Sequence, residues 1–163
     1  MRAGGELDWL QESIECCSKS AVAYKAAFML ARDPCLEKRL LARCADRYAL
    51  LERLLNLLGE QGAAPERMRA MLDGIDSDPA RHGRLKTALE EAVACDHRLR
   101  ELIGQAAARA DLPAGHEAYL VSQHRLLQRS ETRDLLAADR ASEPSLAAKL
   151  LPTVAVRTKL APC

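Results

Sequence analysis

Residues 24–59 read YKAAFMLARDPCLEKRLLARCADRYALLERLLNLLG. Two helix-forming runs meet in this stretch at one breaker, Asp33-Pro34. Proline has no backbone N–H to continue the first helix, yet it suits the first position of the next, with Asp33 as its N-cap. Upstream, Leu7, Leu10, Ile14, Cys17, Ala21, Tyr24 and Phe28 recur in steps of three and four, which predicts a helix over 6–32. Downstream, Leu41, Cys44, Tyr48, Leu51, Leu55 and Leu58 do the same, predicting a helix over 34–58 with Gly59 as its C-cap. A link this short makes the pair an antiparallel hairpin.

The second half repeats the device. Leu85, Leu89, Ala92, Asp96, Leu99, Ile103 and Ala106 form the seam of a helix predicted over 84–110. Asp111-Leu112-Pro113 is a tight corner, and a more polar helix with Leu120, Leu127 and Leu135 is predicted over 114–140, ended by Pro144. Between the hairpins, residues 59–83 hold Gly59, Gly62, Gly74, Gly83, Pro65 and Pro79, with a short helix predicted over 65–72. That link is long enough to travel the length of a bundle. The third helix then starts at the same end as the second. None of the helices can bury its apolar stripe alone, so a four-helix bundle follows, and one long crossover between two hairpins is the ferritin-like arrangement. The expected fold is all-α: one ferritin-like bundle over 1–140, followed by an apolar tail over 141–163 that packs on the bundle or on a partner.

Composition agrees. Aromatic residues make up 3% of the 163 residues and β-branched ones are scarce, a palette that disfavours a sheet. Lysine plus arginine number 24 and aspartate plus glutamate 23, so the net charge of +1 gives no electrostatic reason to expect nucleic acid or an anionic membrane as partner. Residues 1–8 have no apolar run of the leader type, and nothing approaches the roughly 18 apolar residues of a membrane span. A cytoplasmic location is therefore expected, with the six cysteines reduced. They show neither C-x-x-C pairs nor zinc-finger spacing with histidine.

Several short segments carry a family resemblance. Tyr24-Lys25-Ala26-Ala27, Asp33-Pro34-Cys35-Leu36, Ala45-Asp46-Arg47, Leu57-Leu58-Gly59, Asp111-Leu112-Pro113 and Gln123 stand in an order and spacing that resembles a group of small bacterial ferritin-like proteins of unassigned function. The resemblance covers about residues 7–140 and implies the same bundle. It departs in the third helix, where an acidic stretch similar to Glu-Arg-Gly-Glu-Asp is replaced by Ala94-Cys95-Asp96-His97-Arg98.

Di-iron bundles take a Glu-x-x-His pair from each of two helices, because i, i+3 spacing puts both ligands on one inward face. Here the residues three before His82, His97, His116 and His124 are Pro79, Ala94, Pro113 and Val121, so that motif is missing. Polar groups nonetheless interrupt the predicted core: Asp96 on the third seam, Arg47 beside the second, and Gln123 and His124 on the fourth helix. A charge inside a bundle must be paired or coordinated. In one reading Arg47 and Asp96 form a structural ion pair, and Gln123, a further core polar group, and His124 hydrogen-bond nearby or face solvent. In the other, Glu15, Asp96, His97, His124 and Glu131 are the remnant of a metal site holding iron or manganese. His82 and His116, near helix starts, are read as solvated. No catalytic residue or cofactor motif is found. The expectation is a non-catalytic bundle acting through protein contacts, as a homodimer or with a protein partner. The alternative is a metal-binding ferritin-like protein, an oxidoreductase or metal store, with a non-standard site.

Overall fold

A computed structural model of the chain describes residues 5–73 and 83–129, and these are all-helical. The helices are α1 Gly5–Leu30, α2 Pro34–Glu60, α3 Pro65–Asp73, α4 Leu85–Ala108 and α5 Glu117–Arg129. The tail over 141–163, and the part of the fourth predicted helix beyond Arg129, lie outside the described residues.

The Asp33-Pro34 breaker works as the sequence implies. The Asp33 carboxylate accepts the Leu36 N–H at 3.1 Å, and Pro34 opens α2. The other end differs. Gly59 stays helical, and the chain turns three residues later at Gly62, whose φ of +80° a side chain would resist. The Gln61 N–H caps α2 there by donating to the Leu57 carbonyl at 3.1 Å, and the Gly62 N–H donates to the Gly59 carbonyl at 3.0 Å. The corner after α4 is also wider than predicted. It runs from Arg109 to His116, with Ala110 at a φ of 56° and its turn closed by the Asp111 N–H on the Ala106 carbonyl at 2.9 Å.

Cross-helix pairs fix the directions. Cys17 meets Arg47 and Ala21 meets Cys44, so α1 and α2 are antiparallel. Glu12 meets Arg98 and Ser20 meets Asp96, so α1 and α4 are antiparallel too. Hence α2 and α4 point the same way, and the link between them has to traverse the bundle. α5 folds back on α4, with the His124 ring against Gly104.

α1 is the central helix, packed against both α2 and α4. From Ser20 to Ala27 every residue but Lys25 is buried. Its alanines at 23, 26 and 27 pack with Ala88 and Ala92 of α4 and with Leu36 and Leu40 of α2. A second apolar cluster lies toward the other end, where Leu10 and Ile14 of α1 meet Leu50, Leu54 and Leu58 of α2, Leu99 and Ile103 of α4 and Leu120 and Leu127 of α5. Small side chains hold the helices together in the first cluster and leucines fill the second. The two leave one level between them for polar groups.

One seam is out of phase with its prediction. Leu41 and Tyr48 of α2, expected inside, are 53% and 42% exposed, while Leu36, Leu40, Arg47 and Leu54 point inward. The cause is Arg47. Its guanidinium has a partner on α4, and turning it inward rotates Leu41 and Tyr48 outward.

Candidate functional site

The polar level is built from one residue of α4, one of α2 and two of α1. Asp96 is 6% exposed and Arg47 3%. Arg47 donates from Nε to Asp96 Oδ1 at 2.8 Å and from an Nη to Oδ2 at 2.9 Å, a two-pronged pair. Ser20 and Tyr24 stand four residues apart, so both hydroxyls lie on one face of α1. Ser20 Oγ donates to Oδ1 at 2.5 Å and Tyr24 Oη to Oδ2 at 2.7 Å. Each carboxylate oxygen thus accepts two hydrogen bonds, and a carboxylate has about four lone-pair sites in all. The charge is matched by one guanidinium and every acceptor position is taken. Around this centre, Cys17 Sγ donates to the Arg47 carbonyl at 3.2 Å, and the Arg43 and Arg47 guanidiniums lie 6.0 and 5.9 Å from the Tyr24 ring centre.

Burial and charge shift the neighbouring groups. Burial alone would lower Arg47, but the hydrogen bonds and charge of Asp96 outweigh it and hold the guanidinium above its ordinary value. Burial, reinforced by the negative charge of Asp96, pushes the Tyr24 phenol up to about 12. Burial likewise pushes the Cys17 thiol up to about 12 and the Cys95 thiol up to about 11. An acid whose folded value is raised contributes stability that is fully present below its unfolded value and is lost as pH rises through the folded one. The ordinary values are 9.0 for the thiols and 10.0 for the phenol, so stability falls between about pH 9 and about 12. Urea midpoints measured at several pH values across that window will decline, and Tyr24→Phe will flatten the part of the decline above pH 10.

The structure settles where each described sequence candidate sits. Arg47 and Asp96 come together; Gln123, half-buried on α5, is not among the groups bonded to them. Of the proposed metal ligands, Glu15 is half-buried on α1, and His97 is exposed with Nδ1 at 3.5 Å from Glu101 on its own helix. His124 is half-buried against Gly104, and Glu131 lies outside the described residues. Asp96 and His97 are adjacent on α4 and diverge by about 100°. Among the described residues no three His, Cys, Asp or Glu side chains gather as a cation site.

His116 departs from the solvated reading. It is 9% exposed, and its Nε2 lies 2.8 Å from Glu60 Oε2 at the end of α2, tying the start of α5 to that helix. The cysteines are mostly as expected: Cys16, Cys17, Cys44 and Cys95 are free thiols. Cys35, by contrast, is disulfide-bonded, so the fully reduced set does not hold. Among the described residues, no helix is long and apolar enough to cross a membrane.

Comparison with protein-family models, curated proteins and solved structures found no match. A carboxylate with four donors has no free lone pair for a cation or a substrate proton, and a guanidinium held above its ordinary value does not act as an acid near neutrality. The arrangement is suited to joining three helices at one level.

Sequence reasoning misses two members of the site, the Ser20 and Tyr24 hydroxyls, because spacing alone places Tyr24 in an apolar seam. A signal exists nonetheless: Ser20 and Tyr24 share a helix face, and a phenol buried in a core needs a partner for its hydroxyl.

Proposed function

We propose that the protein is a ferritin-like helical bundle without a di-metal centre, and that it works through contacts with a second copy of itself. Two antiparallel hairpins with α2 and α4 running parallel support the ferritin-like wiring, in which a long crossover is required. The observation that carries the functional reading is the saturated Asp96 carboxylate: the buried charge pair is satisfied by Ser20, Tyr24 and Arg47 of the same chain, so recognition falls to the surface. α5 offers such a surface. Leu126 on it is 49% exposed, and the sequence beyond continues with Leu135, Leu136, Leu146, Leu150 and Leu151. A net charge of +1 puts little repulsion between two copies. The cytoplasmic location expected from the sequence belongs to the same proposal.

Sedimentation velocity over a hundredfold concentration range tests the reading. The intact protein is expected to sediment as a dimer, and Leu126→Asp to weaken association at least tenfold, since a charge would be desolvated in the contact. A monomer at every concentration would end the self-association reading. Elemental analysis of the same samples bears on the alternative: one or more iron or manganese ions per chain, lost on Asp96→Ala, would restore the metal-binding oxidoreductase or store.

A further inference from the structure

The outward seam of α1 and α2 carries a groove of about 580 Å³ lined by Lys25, Phe28, Met29, Leu41, Cys44 and Tyr48 among others. Met29, Leu41 and Tyr48 are 56%, 53% and 42% exposed there. Large apolar side chains grouped in a concavity of several hundred Å³, with few polar groups, have the makeup of a small-molecule site. The same patch is small for a protein partner. Each half-exposed side chain offers on the order of 100 Å², whereas a stable dimer buries about 800 Å² per partner.

Charge narrows the ligand. Lys25 is the one ionic side chain in the lining, and no acid stands opposite it. Its ammonium acts on the Cys44 thiol, lowering a value that burial raises, which places the positive charge beside the groove. Among the described residues no carboxylate is paired with Lys25. The lone exposed position in the buried run from Ser20 to Ala27 is thus a cation beside an apolar slot.

We propose that this groove binds a single-chain aliphatic carboxylate, its alkyl tail lying along Phe28, Met29, Leu41 and Tyr48 and its head group on Lys25 Nζ. The site is separate from the α5 surface and does not depend on the self-association reading. Both parts of the ligand are needed: the tail buries the exposed apolar side chains, and the carboxylate supplies the anion that the lining lacks.

Isothermal titration of the full-length protein with octanoate, decanoate and dodecanoate, each kept monomeric, tests this. One saturable site per chain is expected, with affinity rising about fourfold per methylene. Dodecyltrimethylammonium, with the same tail and the opposite charge, should bind at least tenfold more weakly, and Lys25→Glu should reverse that preference. Leu41→Asp, at an exposed position, should reduce dodecanoate binding at least tenfold while leaving the far-ultraviolet circular dichroism unchanged. Absence of saturable binding, equal binding of the cationic amphiphile, or binding that neither variant alters would overturn the proposal. So would Leu41→Asp lowering the sedimenting mass of the ligand-free protein, because the groove would then be a protein interface.

Discussion

Replacing Asp96 with alanine will destabilise the protein by about 3–5 kcal/mol, the cost of leaving a buried charge without its partner. Arg47 is 3% exposed and cannot shed its proton, so once the carboxylate is gone it must stay charged in an apolar interior or drag α2 outward. Ser20 Oγ and Tyr24 Oη lose their acceptor in the same step. Set against a total stability of about 5–15 kcal/mol, the loss lowers the melting temperature by roughly 10 °C or more. Arg47→Met should cost less. The carboxylate left behind keeps the hydroxyls of Ser20 and Tyr24 as hydrogen-bond donors, whereas Asp96→Ala strands three partners at once. Thermal melts of the two single variants at neutral pH, with Asp96→Ala lower, check both the size and the order. Equal, small effects would mean that the pair is hydrated.

Removing the whole polar level together will have the opposite outcome. The quadruple variant Ser20→Ala, Tyr24→Phe, Arg47→Met, Asp96→Leu replaces each group by an apolar one of similar shape. A buried ion pair exchanged for well-packed apolar residues is often neutral or stabilising by about 1–4 kcal/mol. The quadruple variant should therefore melt at or above the unaltered protein and well above Asp96→Ala. Arg47→Met with Asp96→Leu alone should fall between, because each buried hydroxyl left without a partner costs about 1–3 kcal/mol. A quadruple variant no more stable than Asp96→Ala would show that the level does more than satisfy itself. Restored stability with loss of a unique oligomeric state would point to a role in fixing the register of the helices.

The contrast between these variants shows which part of the molecule is legible in the sequence. Asp96 falls on a three-four seam of otherwise apolar residues and Arg47 sits near another, so residue spacing alone points to a charge pair in the core. The Asp33-Pro34 hairpin is equally plain, because proline and an aspartate cap act locally. The features that spacing does not reveal are non-local. Leu41 and Tyr48 look like core because leucine and tyrosine at heptad spacing usually are. The pairing of Arg47 across to α4 turns them outward, and spacing along α2 contains nothing about α4. The burial of α1 on most sides between Ser20 and Ala27 is hidden for the same reason: a helix packed on two sides has no single stripe there, only a run of small residues. The groove beside Lys25 follows from both of these displacements. His116 looks solvated in sequence because its partner, Glu60, lies 56 positions away.

A double-mutant cycle over Arg47 and Asp96, built from Arg47→Met, Asp96→Leu and the pair and read by urea denaturation, tests most directly whether a self-satisfied charge pair joins α2 to α4 through the face of α1. A coupling energy of about 2 kcal/mol or more is predicted for two groups in one hydrogen-bonded network. A coupling below about 0.5 kcal/mol would contradict it, since groups that do not touch behave additively.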